Sequence, residues 1–95
     1  MAKYRLSNEA KNDLIRIHHY GVKKFGMTQA DKYFESFFEY FDIIAERPYS
    51  FESVEYIKNE YRRCVCESDS IFFKINKDIV DIMAIVGSQN LNEKL

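Results

Sequence analysis

The chain has 95 residues and a mass of 11.4 kDa, which is the size of one small domain. Apolar residues make up 46% of it and charged residues 31%, so the composition predicts a globular fold rather than a disordered or collagen-like chain. Fourteen Lys and Arg residues nearly balance 15 Asp and Glu residues, and no apolar run has the length of a membrane helix. These features exclude a strongly basic nucleic-acid binder and a membrane-spanning protein. Because the N-terminus lacks an apolar signal core, we expect a cytoplasmic protein.

The beginning of the chain predicts one strand and two helices. Residues 4–6 alternate in polarity, which indicates a short strand. Apolar positions at helical spacing over 7–25 predict a first helix, which starts at a capping serine and ends at a glycine. Thr28 is the predicted cap of a second helix over about 29–46, and Pro48 stops it. The two helices are predicted to form a hairpin.

The second half of the chain changes to a period of two. Residues 48–60 are predicted to be a loop, with one turn of helix around 54–58. Short turns then separate three predicted antiparallel strands, which span 61–67, 71–75 and 79–86. In the last strand, alternate apolar residues are expected to face the helices, namely Val80, Ile82, Ala84 and Val86. Residues 87–95 are expected to form a tail of the single domain 1–95.

These elements give an α+β fold: a short N-terminal strand, a two-helix hairpin, and a three-stranded antiparallel meander packed on the hairpin. Seven Tyr and eight Phe residues exceed what so short a chain easily buries, since a small domain buries only about 60% of its unfolded surface. We therefore expect some rings to be exposed at a partner site, with a ring-filled core as the alternative.

The cysteine and histidine residues do not predict a metal site. Cys64 and Cys66 lie two apart in a predicted strand, so their side chains share a face and are expected to stay reduced. His18 and His19 are adjacent on a predicted helix, where they point about 100° apart and cannot bind one ion together. Neither a metal nor another cofactor is predicted.

The order of these elements, together with four short motifs, resembles the RelE/ParE superfamily of toxins from bacterial type II toxin–antitoxin modules. The resemblance covers nearly the whole chain, from about residue 4 to residue 86. The matching positions are Leu6-Ser7, Ala10, Asp13-Leu14 and Ile17; Gly26, Gln29-Ala30 and Tyr33; Ala45-Glu46 and Pro48; and Tyr61-Arg62-Arg63 followed by Ile71-Phe72-Phe73.

The resemblance favours the ParE branch over the RNA-cleaving branch. Ribosome-dependent ribonucleases of this superfamily assemble several Lys and Arg side chains with a Tyr or His near the last strand, because phosphate cleavage needs proton transfer and cationic stabilisation. Here Arg62, Arg63 and Lys74 are the only cations on the predicted central strands, and no catalytic residue is assigned. Gly87 stands about where many ParE-type toxins have a His, so the sequence departs from the family pattern there.

For the ParE branch, the resemblance implies a toxin that inhibits DNA gyrase and so blocks replication. It also implies a ParD-like antitoxin that wraps the helical hairpin and the sheet; sequence-specific nucleic-acid binding is not expected outside that complex. Candidate target-binding residues are Arg62, Arg63, Lys74, Gln89 and Leu91. Candidate antitoxin-binding residues are Tyr33, Phe38 and Tyr40. Two alternatives stay open at this point: a RelE-like ribosome-dependent mRNA endoribonuclease and an inactive relative.

Overall fold

Two helices lie on one face of a five-stranded sheet in the computed structural model, which describes residues 3–87. The elements in chain order are β1 Lys3–Leu6, α1 Asn8–Phe25, α2 Met27–Glu46, a 3₁₀ turn Pro48–Ser50, β2 Glu52–Ser53, β3 Arg62–Cys66, β4 Asp69–Asn76 and β5 Ile79–Gly87. The predicted α+β fold is confirmed. Strand β5 extends through Gly87, one residue further than the sequence pattern predicted.

The strands are ordered β1-β5-β4-β3-β2 across the sheet. The predicted antiparallel meander of β3, β4 and β5 is present, and β1 joins it by pairing in parallel with β5. The two-residue β2, which the sequence analysis placed in a loop, pairs with Arg62 and Arg63 at the opposite edge. A turn after β2 has backbone hydrogen bonds from Ile57 and Lys58 to the Val54 carbonyl, which agrees with the helical turn predicted there.

A side chain caps the N-terminus of α1, whereas no side chain caps the N-terminus of α2. Ser7 caps α1, because its hydroxyl accepts a hydrogen bond from the Ala10 N–H at 3.0 Å. Gly26 separates the helices with φ +92°, a conformation that glycine adopts without the strain of a Cβ. The predicted cap Thr28 was wrong: α2 already begins at Met27, and its cap residue Gly26 has no side chain to donate or accept.

A β-bulge in β5 changes which of its residues face the helices and which face the other side of the sheet. Phe72 pairs with Ala84 whereas Phe73 pairs with Ile82, so Met83 is an extra residue in β5. The prediction that Ala84 and Val86 face the helices was therefore wrong, because the extra residue reverses the alternation beyond it. Both residues lie in a second apolar cluster on the other face, while Val80 and Ile82 pack with the helices as expected.

The start of helix α1 is hydrogen-bonded to β5 around this bulge. Asp13 is only 2% exposed, and its Oδ2 accepts a hydrogen bond from the Ile85 N–H at 3.0 Å. Ser7 donates its hydroxyl to the Met83 carbonyl at 2.8 Å, and the Ser7 N–H donates to the Ile82 carbonyl at 3.0 Å. These bonds fix the start of α1 against the middle of β5, which sets where the rest of the helix lies over the sheet.

Candidate functional site

A pocket of about 550 Å³ opens between the helical hairpin and one end of the sheet. One wall is the second half of α1, where Arg16, Tyr20 and Lys24 form a row at four-residue spacing. The opposite wall is the β3–β4 turn with Glu67 and Asp69, and the start of α2 closes the side between them. The pocket is therefore lined by apolar surface between a cationic wall and an anionic wall.

The two helices that form this pocket approach each other closely at Gly21. A Cβ at this position would lie 3.3 Å from the Cβ of Ala30, which is tighter than an ordinary van der Waals contact. Small residues on both helices therefore let α1 and α2 cross at this point. This crossing brings the start of α2 against α1 at the side of the pocket.

Tyr33 connects α2 to the anionic wall. Its hydroxyl donates to Asp69 Oδ2 at 2.6 Å and lies 3.3 Å from the Cys66 carbonyl, while its ring packs against Phe37 at 4.9 Å between centroids. Burial, with a further contribution from the Asp69 carboxylate, raises the pKa of Tyr33 well above that of a free tyrosine. The phenol therefore stays neutral at physiological pH and acts as a structural donor rather than as a base.

Exposed apolar side chains border the pocket at the tip of the hairpin. The exposed fractions are 59% for Tyr20, 62% for Phe25 and 57% for Met27. The Lys24 ammonium lies 3.1 Å from the Tyr20 hydroxyl and within 6 Å of both the Tyr20 and Phe25 ring centroids. The sequence analysis did not identify this group. The position of Phe25 beside Gly26, which ends the helix, could have indicated it, because no neighbouring element covers the tip of a helical hairpin.

The three rings predicted to bind an antitoxin are half-buried and lie on two sides of α2. Tyr33 and Tyr40 are two helical turns apart and face β3; Tyr33 lines the pocket. Electrostatic repulsion between the phenolate and an ionised Cys66 is the main cause of the raised pKa of the neighbouring Tyr40, and burial adds to it. Phe38 lies on the other side, with edge-on contacts to Phe34 and Phe41 at 5.4 Å. The structure thus joins Tyr33 and Tyr40 along one flank and separates Phe38 from them.

The three predicted target-binding cations do not share one face of the sheet. Arg62 pairs with Phe73 on the helix-facing side, where its guanidinium donates to the Phe51 carbonyl at 2.7 Å and lies 5.1 Å from the centre of the exposed Tyr49 ring. Arg62 is thereby fixed in place by contacts within the molecule. The sequence analysis identified the residue but not these partners, because they come from the loop before β3.

Arg63 and Lys74 lie on the opposite face. Arg63 forms an ion pair with Glu52 at 2.9 Å across β2 and β3. Lys74 stands opposite Asp81 in the pairing of β4 with β5, and it has no ion pair within the described part of the chain. The other two predicted target-binding residues, Gln89 and Leu91, lie outside the described residues.

His18 on α1 contacts residues of α2 and does not lie beside the cations of the sheet. Its Nε2 lies 2.7 Å from Asp31 Oδ1, and its ring contacts Phe34 edge-on at 5.4 Å.

Across residues 3–87, no three His, Cys, Asp or Glu side chains are grouped as metal ligands would be. Over the same residues, neither helix has the length and hydropathy that a membrane-spanning segment requires.

Cys64 and Cys66 are free thiols that share one face of β3, as predicted from their spacing. Both are buried, and the face they share is the one that packs against the helices. Burial raises the pKa of Cys64 to about 11 and is the main cause of the rise in the pKa of Cys66 to about 12. The folded protein therefore keeps these protons where the unfolded chain, with thiol pKa values near 9, loses them. The resulting contribution to stability is complete below about pH 9 and is lost as the pH rises through 11 and 12.

We expect both thiols to resist a disulfide reagent in the folded protein at pH 8. For Cys64, a two-unit rise in pKa alone lowers the thiolate fraction about 100-fold, and burial excludes the reagent as well. The control is V65C in a background where both native cysteines are serine, because Val65 is on the same strand and 57% exposed. Rapid labelling of the native cysteines, at the rate of the V65C control, would contradict the prediction.

Comparison with known proteins agrees with this fold. A family model described as the ParE toxin of the type II toxin-antitoxin system parDE matches residues 4–91. A curated relative, Toxin ParE1 of Caulobacter vibrioides, is 32% identical over 95 residues, which cover 100% of this chain and 99% of the relative. A solved structure of the chromosomal ParDE TA system from P. aeruginosa matches with a TM-score of 0.81 and 18% identity over 92% of this chain and 96% of that chain.

The fold and the family match together define the class of protein, a toxin of a type II toxin–antitoxin system. Within this class, the chain belongs to the ParE toxin family, since the family model covers most of its length. The superfamily indicated by the sequence motifs, and its ParE branch, are thereby confirmed.

Proposed function

We propose that this ParE toxin acts in the bacterial cytoplasm by binding and inhibiting DNA gyrase, without chemistry of its own, and that a ParD-type antitoxin neutralises it. The main support is the separation of Arg62 from Arg63 and Lys74 onto two faces of the sheet. Cleavage of a phosphodiester needs cations that converge on one phosphate, together with a group that transfers protons. An arrangement that divides the cations favours protein recognition over RNA cleavage.

The surroundings of the remaining candidate groups support the same proposal. Arg62 already donates to a backbone carbonyl, and Arg63 is paired with Glu52. His18 lies on α1 beside Asp31, so it is not a neighbour of the sheet cations. Tyr33 is held neutral beside Asp69 and is therefore unsuited to removing a proton from a ribose hydroxyl.

The experiment that tests this proposal compares two activities of the purified protein. We expect it to inhibit supercoiling by DNA gyrase and to accumulate cleaved DNA, and we expect the antitoxin encoded beside the toxin gene to relieve both effects. We expect no cleavage of ribosome-bound mRNA under matched conditions. Cleavage of the mRNA with unimpaired gyrase would overturn the proposal in favour of a RelE-like endoribonuclease.

Two sets of residues carry the proposed binding roles, and the members of each set lie on more than one face of the molecule. The target-binding residues are those of the sheet and the segment beyond it: Arg62, Arg63, Lys74, Gln89 and Leu91. The antitoxin-binding residues are the half-buried rings of α2: Tyr33, Phe38 and Tyr40. The contribution of Gln89 and Leu91 is tested in the same gyrase assay by deleting residues 88–95, which follow the last residue of β5.

Among the proposed target-binding residues, Lys74 gives the sharpest test. We expect Lys74→Ala to weaken gyrase inhibition about tenfold, because the lost ammonium has no ion-pair partner within residues 3–87 and is available to a target. Arg62→Ala is less informative, since it also removes contacts to Phe51 and Tyr49. The matched control is Lys32→Ala, at an exposed position on α2. Equal inhibition by the Lys74 and Lys32 variants would remove Lys74 from the proposed target-binding residues.

A further inference from the structure

We propose that the pocket between α1 and the β3–β4 turn is occupied by the chain's own residues 88–95, with the Leu91 side chain as the anchor. The contact lies within one molecule, so this inference does not depend on the proposed function. Any part that Leu91 has in target binding is then indirect, because its side chain holds the segment in place. Another ligand of the pocket has to displace this segment before it can bind.

The direction of β5 carries the chain into the pocket. Helix α1 runs in the same direction as β5, because Ser7 is hydrogen-bonded to Met83 and Asp13, further along the helix, is hydrogen-bonded to Ile85, further along the strand. Strand β5 reaches Gly87, which lines the pocket. The residues after Gly87 therefore start at the pocket, beside the second half of α1.

The lengths of the two elements place Leu91 within the pocket. Ile17 and Gly87 both line it, so the helix and the strand enter the pocket at these two residues. Lys24, which also lines the pocket, follows Ile17 by seven helical residues, or about 11 Å. Leu91 follows Gly87 by four residues, which span about 13 Å as a strand. A continued strand therefore brings Leu91 to the level of Lys24.

The alternation of β5 turns Leu91 toward the helices. Ile85 belongs to the apolar cluster that packs against the helices, Val86 belongs to the cluster on the other face, and Gly87 lines the pocket. Because successive side chains of a strand point to opposite faces, a continued strand directs every second residue after Gly87 toward the pocket. Leu91 is one of these residues, and the polar residues on either side of it face away.

The pocket has the apolar surface that a leucine side chain needs. The Tyr20 ring lies on its α1 wall and is 59% exposed, and the small residues Gly21 and Ala30 also line it. Packing a leucine against this surface removes apolar area of both from water, which stabilises the contact. Leu95 is four residues further on, about 13 Å along a strand, which carries it past the last turn of α1. Leu91 is therefore the anchor.

Nuclear magnetic resonance of the whole 95-residue chain tests the contact directly. We expect nuclear Overhauser effects between the Leu91 methyl groups and the Tyr20 ring, and backbone order parameters for residues 88–91 near the value of about 0.85 for rigid backbone. Order parameters below about 0.6 without these Overhauser effects would overturn the inference. Overhauser effects that arise only between labelled and unlabelled chains in a mixed sample would assign the pocket to a second copy, and would also overturn it.

A matched pair of variants measures the strength of the contact. We expect Leu91→Ser to lower the equilibrium constant between the folded and unfolded states about tenfold, because it removes the anchor from the pocket. Leu95→Ser makes the same chemical change past the end of α1, and its expected effect is below about twofold. Urea unfolding followed by circular dichroism gives both values. Equal effects of the two substitutions would contradict the anchoring role of Leu91.

A double-mutant cycle tests whether Leu91 contacts the Tyr20 wall. In a Tyr20→Ala background, we expect Leu91→Ser to lower the equilibrium constant only about threefold, because part of its contact is already gone. The control background is His19→Ala, which removes a ring at the neighbouring exposed position of α1, outside the pocket, and should leave the tenfold effect unchanged. The same effect of Leu91→Ser in both backgrounds would show that Leu91 does not occupy this pocket.

Discussion

Replacing Phe37 with alanine is expected to lower the free energy of unfolding by about 3–5 kcal/mol, the largest loss we predict for a single substitution. Phe37 is fully buried at the centre of α2, with its ring against Tyr33 on one side and Phe41 on the other. The truncation removes these contacts and leaves a cavity between rigid elements. Because a domain of this size has only about 5–15 kcal/mol of stability, the variant is expected to be close to unfolding at 37 °C.

Phe25→Ala is the matched control for this measurement. It makes the same chemical change at a ring that is 62% exposed, so the expected loss is below about 1 kcal/mol. Urea unfolding followed by circular dichroism gives both values. Similar losses for the two variants would contradict the assignment of Phe37 to the core and of Phe25 to the exposed tip of the hairpin.

Asp13→Ala is expected to lower the free energy of unfolding by about 3 kcal/mol. The carboxylate is buried and accepts the Ile85 N–H just beyond the β-bulge. Its removal leaves that N–H without an acceptor inside the protein, where water cannot replace it. The loss is therefore larger than the net value of an ordinary hydrogen bond.

Asp13→Asn separates this hydrogen bond from the other effects of the substitution. The amide oxygen can still accept the Ile85 N–H, so we expect about half the loss seen with alanine. Asp42→Ala, at an exposed position of α2, controls for the loss of one carboxylate and should change the stability by less than about 0.5 kcal/mol. A loss below 1 kcal/mol for Asp13→Ala would show that the bond to Ile85 is dispensable.

Local patterns account for most of the elements that the sequence predicted. The helices have an apolar stripe of period 3.6, and Ser7 has the chemistry of a cap, so α1 could be placed to within a residue. In strands β3, β4 and β5 the residues have a period of two, and short turns separate the strands, which predicts an antiparallel meander. In each of these cases the information lies within the element itself or in the turn beside it.

The features that the sequence analysis missed depend on residues far apart in the chain. The bulge at Met83 has no local pattern, since the residues on both sides of it are apolar, and it alone reverses the face of Ala84 and Val86. The half-burial of Tyr33 and Phe38 follows from how α2 lies on the sheet. The pocket could not be predicted either, because its walls come from α1, α2 and the β3–β4 turn.

The position of β5 between β1 and β4 determines when the sheet can form during synthesis. Strand β1 is made first, yet its partner in the sheet begins at Ile79, 76 residues after Lys3 in the pairing register. A chain still held on the ribosome before that point lacks the strand that joins the N-terminus to the meander. Contacts of such long sequence separation also form slowly. Any activity that depends on the complete sheet therefore begins only after β5 has been synthesised, and a chain that stops before Ile79 cannot form the complete sheet.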